Sequence, residues 1–117
     1  MQAIGPQIEI CDRTHAEKYR GEGEPFREAM GRVASALSDG PVHFHAFRTP
    51  LLKQAFMPAG RIQAAMGSAR IVTPYNCFVS GTIDDSFVEG HGSIMNRATE
   101  AASTMRKGGG IGYDFST

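Results

Sequence analysis

Ile71-Val-Thr-Pro-Tyr-Asn-Cys-Phe-Val79 and Gly108-Gly-Gly-Ile-Gly-Tyr-Asp-Phe115 are the two stretches whose reading decides the fold. Ile71-Val72-Thr73 and Cys77-Phe78-Val79 are β-branched or apolar runs on either side of Pro74-Tyr75-Asn76, which predicts one or two short strands. Ile111, Tyr113 and Phe115 alternate with Gly112 and Asp114, the pattern of a further strand beginning. Between these stretches, Met95, Ala98, Ala101, Ala102 and Met105 make the apolar face of a helix. Ser93 can cap its start, Arg106 and Lys107 suit the negative end of its dipole, and Gly108 is a natural left-handed stop. Asp85-Ser86 with Glu89 has the form of a capping box, interrupted by Gly90-His91-Gly92. Strand, helix, strand is an α/β arrangement. The chain stops at Thr117 inside the last strand, so the expectation is a part-fold, a piece or partner of something larger.

Working back toward the N-terminus, residues 25–70 read as helical. Pro25 suits a first turn, and Phe26, Ala29, Met30, Val33, Ala34 and Leu37 then recur at helical spacing until Asp39-Gly40. Gly31 inside this helix costs about 1 kcal/mol against alanine, unless a close helix crossing uses it. Val42 to Phe47 is apolar, with His43 and His45 alternating. Thr49-Pro50 looks like a cap followed by proline in a first turn, with Leu51, Leu52, Ala55 and Phe56 as the buried face and Met57-Pro58-Ala59-Gly60 as the stop. Residues 61–70 read as irregular. Residues 1–24, broken by Gly5-Pro6 and Gly21-Glu-Gly-Glu24, read as an extended arm with a short helix around Thr14 to Tyr19.

The composition narrows the function. Lys plus Arg and Asp plus Glu number 12 each, so the 117-residue chain has no net charge and no electrostatic footprint for nucleic acid or an anionic membrane. No apolar run reaches the ~18 residues of a membrane span, and Met1 to Ile10 lacks a signal-peptide pattern. A cytoplasmic setting is the expectation. Two cysteines, Cys11 and Cys77, are too few for a disulfide scaffold or a four-cysteine zinc site. Glycine, at 14 residues, is well above the ordinary ~7%, and Trp is absent. A chain so rich in flexible backbone and so poor in large anchors folds best against something else.

Three groups of residues could carry chemistry. His43 and His45 share a side of a strand but not of a helix, and no histidine spacing matches a metal-ligand set, so a surface or core role is the default and no metal is expected. Gly108-Gly-Gly-Ile-Gly112 could let backbone approach a ligand, or could simply end the helix. It follows a helix and precedes a strand, the reverse of a phosphate-binding loop. Cys77, alone in its strand, is by default a small buried hydrophobe. A redox role would need a second thiol within a Cα distance of about 4.4–6.8 Å.

Taken in order, these segments resemble the N-terminal part of class II, adenosylcobalamin-dependent ribonucleotide reductase. Ala16-Glu-Lys-Tyr-Arg20 with Gly23-Glu24 and the helix Phe26 to Leu37 resemble that family's opening segment. Phe56-Met-Pro-Ala-Gly-Arg-Ile-Gln63 resembles its turn before the first barrel strand. Asn76-Cys-Phe-Val79 with Gly81-Thr-Ile-Asp-Asp-Ser86 resembles its first catalytic strand, and Ala101 to Met105 with Gly108 to Thr117 its next helix and strand. The resemblance covers most of residues 16–117.

The resemblance implies helices plus the first strands of a ten-stranded α/β barrel completed elsewhere. Residues 71–117 would be the start of that barrel. Cys77 would be one of two thiols that reduce the ribose 2′-carbon and end as a disulfide, restored by a thioredoxin-type reductant. Asn76, Gly109 and Gly110 would line the ribonucleotide, and Asp85 and Ser86 would lie near a site for a deoxynucleoside triphosphate effector. A homodimer contact would come from the first helix of the region. Val88 to Ser93 is a few residues longer than the family's usual stretch. The thiyl-forming cysteine, the partner thiol and most of the corrin site have no counterpart here. The chain is therefore expected to be inactive alone and to need a complementary barrel chain, with unfolding of weak cooperativity because its strands expose edges. The alternative is a catalytically inactive nucleotide-binding or regulatory module derived from the reductase.

Overall fold

The computed structural model describes residues 4–116. Met1 to Ala3 of the expected N-terminal arm, and Thr117 at the end of the expected last strand, lie outside the described residues. In chain order the described elements are α1 (Glu9–Tyr19), α2 (Phe26–Leu37), α3 (Pro41–Leu52), α4 (Gly60–Ala65), β1 (Cys77–Thr82), α5 (Ile94–Arg106) and β2 (Gly110–Asp114). They fall into two compact units, divided after Arg70. The described elements thus include five helices. None of them is long and apolar enough to cross a membrane.

In the N-terminal unit the helical period of α2 turns Phe26, Ala29, Met30, Val33 and Ala34 to one side, where they are buried with Leu51 and Leu52 of α3. Ile4, Phe44, Phe47 and Ile62 pack at the edge of this core. Met30 and Val33 are 0% exposed, and each such burial is worth about 1.5–3 kcal/mol. Beside the apolar core stands a polar one. All five N–H groups of Arg32 are used: two on the Glu24 carboxylate at 2.8 and 3.0 Å, and three on the carbonyls of Tyr19, Gln63 and Met66.

Three sequence expectations are corrected here. The stretch read as an extended arm with a short helix around Thr14 to Tyr19 holds a longer, eleven-residue helix, α1, which starts at Glu9 and packs against α4. Its inward residue is His15 and the residue closing it is the buried Arg20, so no apolar stripe advertises it. Val42 to Phe47 and Leu51-Leu52 belong to one helix, α3, which begins with Pro41 at its first position. Thr49 is therefore no cap, and Pro50 sits inside the last turn, without the N–H that would bond the Ala46 carbonyl. The helix stops at Gln54, whose φ is 55°. Gln54 N–H donates to the Leu51 carbonyl and Ala55 N–H to that of Pro50, both near 3.0 Å, a Schellman closure with glutamine in the left-handed position. Finally, part of the irregular stretch 61–70 is α4, too short for a period to show, and it turns Gln63 inward.

In the C-terminal unit β1 and β2 run parallel, joined through α5, with Cys77 opposite Gly110, Phe78 opposite Ile111 and Val79 opposite Gly112. Parallel neighbours need such a crossover. The register shifts between Val79 and Thr82, a bulge at Ser80 and Gly81. Ile71 to Thr73 is not a strand; Thr73 N–H instead donates to the Lys107 carbonyl at 3.1 Å, tying this segment to the end of α5. Both expected ends of α5 are observed. Ser93 Oγ accepts the Asn96 N–H, and Gly108, at φ 84°, closes the helix with Gly109 on the carbonyls of Met105 and Thr104. The face differs from expectation. Ala101 is buried, whereas Met95 and Met105 are 47% and 54% exposed. Ser86 Oγ does accept the Glu89 N–H at 3.0 Å, but the segment it opens is turns, and helix begins only at Ile94.

Candidate functional site

Cys77 opens β1, and its placement follows from the first rung of the ladder. The Asn76 carbonyl accepts the Gly110 N–H at 2.7 Å, which seats the thiol beside the start of β2. A Cβ added to Gly110 would stand 3.5 Å from that carbonyl oxygen and 3.7 Å from Cys77 Sγ. With no such Cβ, the thiol keeps an open flank. Cys77 is exposed and free. Alternate residues of a strand face opposite ways, so Val79 shares its face, opposite Gly112, and is 88% exposed. This face of the ladder thus carries Cys77 and Val79 on one strand and bare backbone at Gly110 and Gly112 on the other.

The other face is covered by α5. Phe78 points there, with Tyr75 edge-on to its ring at 6.3 Å. Gly109 is buried in the same layer. A Cβ on it would meet the Phe78 ring at 2.7 Å and Thr104 Cγ2 at 2.9 Å, so only glycine lets the end of α5 turn into β2 here. A groove of about 270 Å³ lies alongside, lined by Thr73, Phe78, Ser103, Thr104 and Lys107. Asn76, Cys77, Gly109 and Gly110 therefore meet at one end of the ladder. Gly110 borders the thiol; Gly109 supports it from the covered side.

Asp85 and Ser86 lie past the opposite end of β1, a strand that spans about 17 Å at ~3.3 Å per residue. Their loop is closed on itself. Ser86 and Phe87 carbonyls accept the N–H groups of Ile94 and Met95 at 3.0 and 3.1 Å, and Asp84 N–H donates to the Gly92 carbonyl at 2.9 Å. A Cβ on Gly92 would overlap the Asp84 carboxylate. The first N–H groups of α5 are thus bonded within the chain. At the bulge, Arg97 Nε donates to the Thr82 carbonyl at 3.2 Å and Nη1 to Glu100 Oε2 at 2.8 Å. Gly81 leaves room for that guanidinium, whose Nη2 would stand 2.6 Å from a Cβ. Ser80 Oγ is buried beside this crossing, without a hydrogen-bond partner.

His43 and His45 sit two apart on α3, hence on opposite sides of it. His43 Nδ1 is bonded to the Asp39 carboxylate, which lies below the usual carboxylate range, chiefly through that bond. Among the described residues no three His, Cys, Asp or Glu side chains are placed to hold a metal ion. Two grooves with polar side chains in their walls hold about 270 Å³ beside Phe78 and about 580 Å³ between Gly21 and Arg70. The larger is walled by Glu22, Glu24, Arg32 and Arg70. Neither groove is of a size and lining to hold a corrin macrocycle.

Sequence reasoning missed Val79 and Gly112 as members of the open face. Their signal is the two-residue spacing Gly110, Gly112 against Cys77, Val79, which becomes informative only once the parallel register aligns the strands. Comparison with protein-family models, with curated proteins and with solved structures found no match to this chain.

Proposed function

We propose that this chain is the N-terminal part, or small subunit, of an adenosylcobalamin-dependent ribonucleotide reductase. The observation that carries the reading is the exposed Cys77 thiol on an uncovered face of a parallel ladder, flanked by the bare backbone of Gly110. Parallel sheets are found almost only with both faces covered, and this one has a helix on one face alone. The missing cover would be the complementary barrel, which would also hold the corrin cofactor and the second thiol. The order and spacing of the motifs around Cys77 add their support.

On this reading Cys77 and a thiol of the barrel each give one proton and one electron. The ribose 2′-hydroxyl leaves as water, the 2′-carbon is reduced, and the two sulfurs join as a disulfide. A thioredoxin-type dithiol then returns two electrons and two protons. Such a cycle belongs to a reducing cytoplasm. Asn76 and Gly110 would border the ribonucleotide, Gly109 would hold Phe78 and so the strand, and Asp85 with Ser86 would adjoin an effector site at the far end of β1.

The test combines this chain with the complementary barrel of a class II reductase. Size-exclusion with light scattering is followed by a cobalamin-dependent reduction assay. The expected outcome is a stoichiometric complex that turns over, with Cys77→Ser abolishing turnover while the complex persists. A chain that ignores the barrel overturns the proposal. A complex whose activity survives alkylation of Cys77 makes the chain a binding or regulatory module instead.

A further inference from the structure

The N-terminal unit holds a buried titratable group that the reductase reading does not use. His15 is 8% exposed and lies among the rings of Tyr19 and Phe26, at 5.3 and 5.2 Å. Its two nitrogens have different duties. Nε2 stands 2.7 Å from Gln63 Oε1, and Gln63 Nε2 donates to the Pro58 carbonyl, so the amide oxygen faces the ring and Nε2 carries the proton. Nδ1 accepts from Arg20 Nε at 3.0 Å, which only an unprotonated nitrogen can do. Arg20 in turn donates to the Asp12 carboxylate and lies over Phe26, 5.5 Å from its centroid. One directed chain of bonds therefore runs from Arg20, which also donates to Asp12, through His15 and Gln63 to Pro58, and it joins α1 to α4. The Tyr19 ring meets α4 at Gly60, where a Cβ would come within 2.6 Å.

We propose that His15 is an acid-operated clasp: a proton on Nδ1 sets two donors face to face, breaks the Arg20 link and loosens the hold of α1 on α4. The charged groups facing the ring are Arg20 and Asp12 on the α1 side and Glu24 from the connection to α2. Opposite them, α2 presents Phe26 and α4 presents Gln63, neither of which ionises. Burial is the largest influence and moves the ring below the ordinary 6.5; the bond to Gln63 opposes it, Arg20 lowers further, and Asp12 and Glu24 raise. Because the unfolded ring takes its proton at the higher pH, the clasp is intact above about pH 7 and weakens as pH falls through 6.5. The inference rests on the N-terminal unit alone and stands apart from the reductase reading.

The test is hydrogen exchange on the whole chain at pH 7.5 and 5.5, corrected for intrinsic rates. The α1 amides should lose protection at pH 5.5 while α2 keeps its own, and His15→Gln, which keeps a donor and an acceptor but no titration, should abolish the difference. Equal α1 protection at both pH values, or a difference that survives His15→Gln, overturns the clasp. Should that variant fail to fold, the ¹⁵N shifts of His15 in the unaltered protein decide it. A proton on Nε2 with a midpoint below 6.5 supports the clasp, and a proton on Nδ1 or a midpoint at 6.5 or above overturns it.

Discussion

The two units of this chain differ in how much of their stability they carry within themselves. The N-terminal unit buries Met30 and Val33 completely and spends every N–H of Arg32 on internal acceptors. In the C-terminal unit the fully buried apolar side chain is Ala101, a single methyl group, and the outward face of the ladder bears Val79 in the open. Yet both units use the same local devices. Each ends a helix with a Schellman closure, at Gln54 in one and at Gly108 in the other. Local chemistry is equally sound in both; what separates them is tertiary burial.

The sharpest way to break this comparison is through the deepest side chains. Met30→Ala should cost about 2–5 kcal/mol in urea unfolding. Ala101→Gly should cost about 1 kcal/mol, mostly from helix propensity. Equal costs would mean that the C-terminal unit has a core of its own. Next come the arginines. Arg32→Gln strands the Glu24 carboxylate, which is only 15% exposed, and should cost about 2–3 kcal/mol. Arg97→Gln breaks a pair whose Glu100 is half exposed and should cost under ~1 kcal/mol.

A smaller effect tests the same pair through acid. Glu24 is held below the usual carboxylate range, first by its bonds to Arg32 and then by the Gly21 N–H, against the opposing effect of burial. Its ordinary value is 4.5, so the stability it brings is present above that pH and fades as pH falls below it. The urea midpoint of the N-terminal unit should drop between pH 5.5 and 3.5, and Glu24→Gln should flatten the slope. An unchanged slope would remove Glu24 from the polar core. The smallest effect separates local from tertiary stability. Gln54→Gly should stabilise by up to about 1 kcal/mol by relieving a left-handed side chain, and Gly108→Gln should destabilise by a similar amount. Thermal melts of the two variants moving in the same direction would contradict the shared closure.

What could be read from the chain alone tracks how local the cause was. The helix Phe26–Leu37 was legible because its buried residues are apolar and follow the helical period. Of helix α1 only the part around Thr14 to Tyr19 was legible, since the side it turns inward is polar and is satisfied by Gln63, a residue far along the chain. Pro50 misled because proline in the last turn of one helix looks the same as proline in the first turn of the next. At the candidate site, the resemblance to the reductases marks Asn76, Cys77, Gly109 and Gly110. The parallel register brings these four together and leaves Asp85 and Ser86 at the other end of β1.

By itself the sequence determined the short-range events: the period of α2, the Ser93 cap, the Gly108 stop and the strand tendency at Cys77. Each depends on a few neighbouring residues and on backbone sterics. Only the tertiary structure decided which face of α5 meets the sheet, which glycine borders the thiol and which supports it, and why His15 and Arg20 lie inside. Those outcomes come from contacts between residues distant in the chain, where the partner's shape and hydrogen-bonding capacity override the local preference.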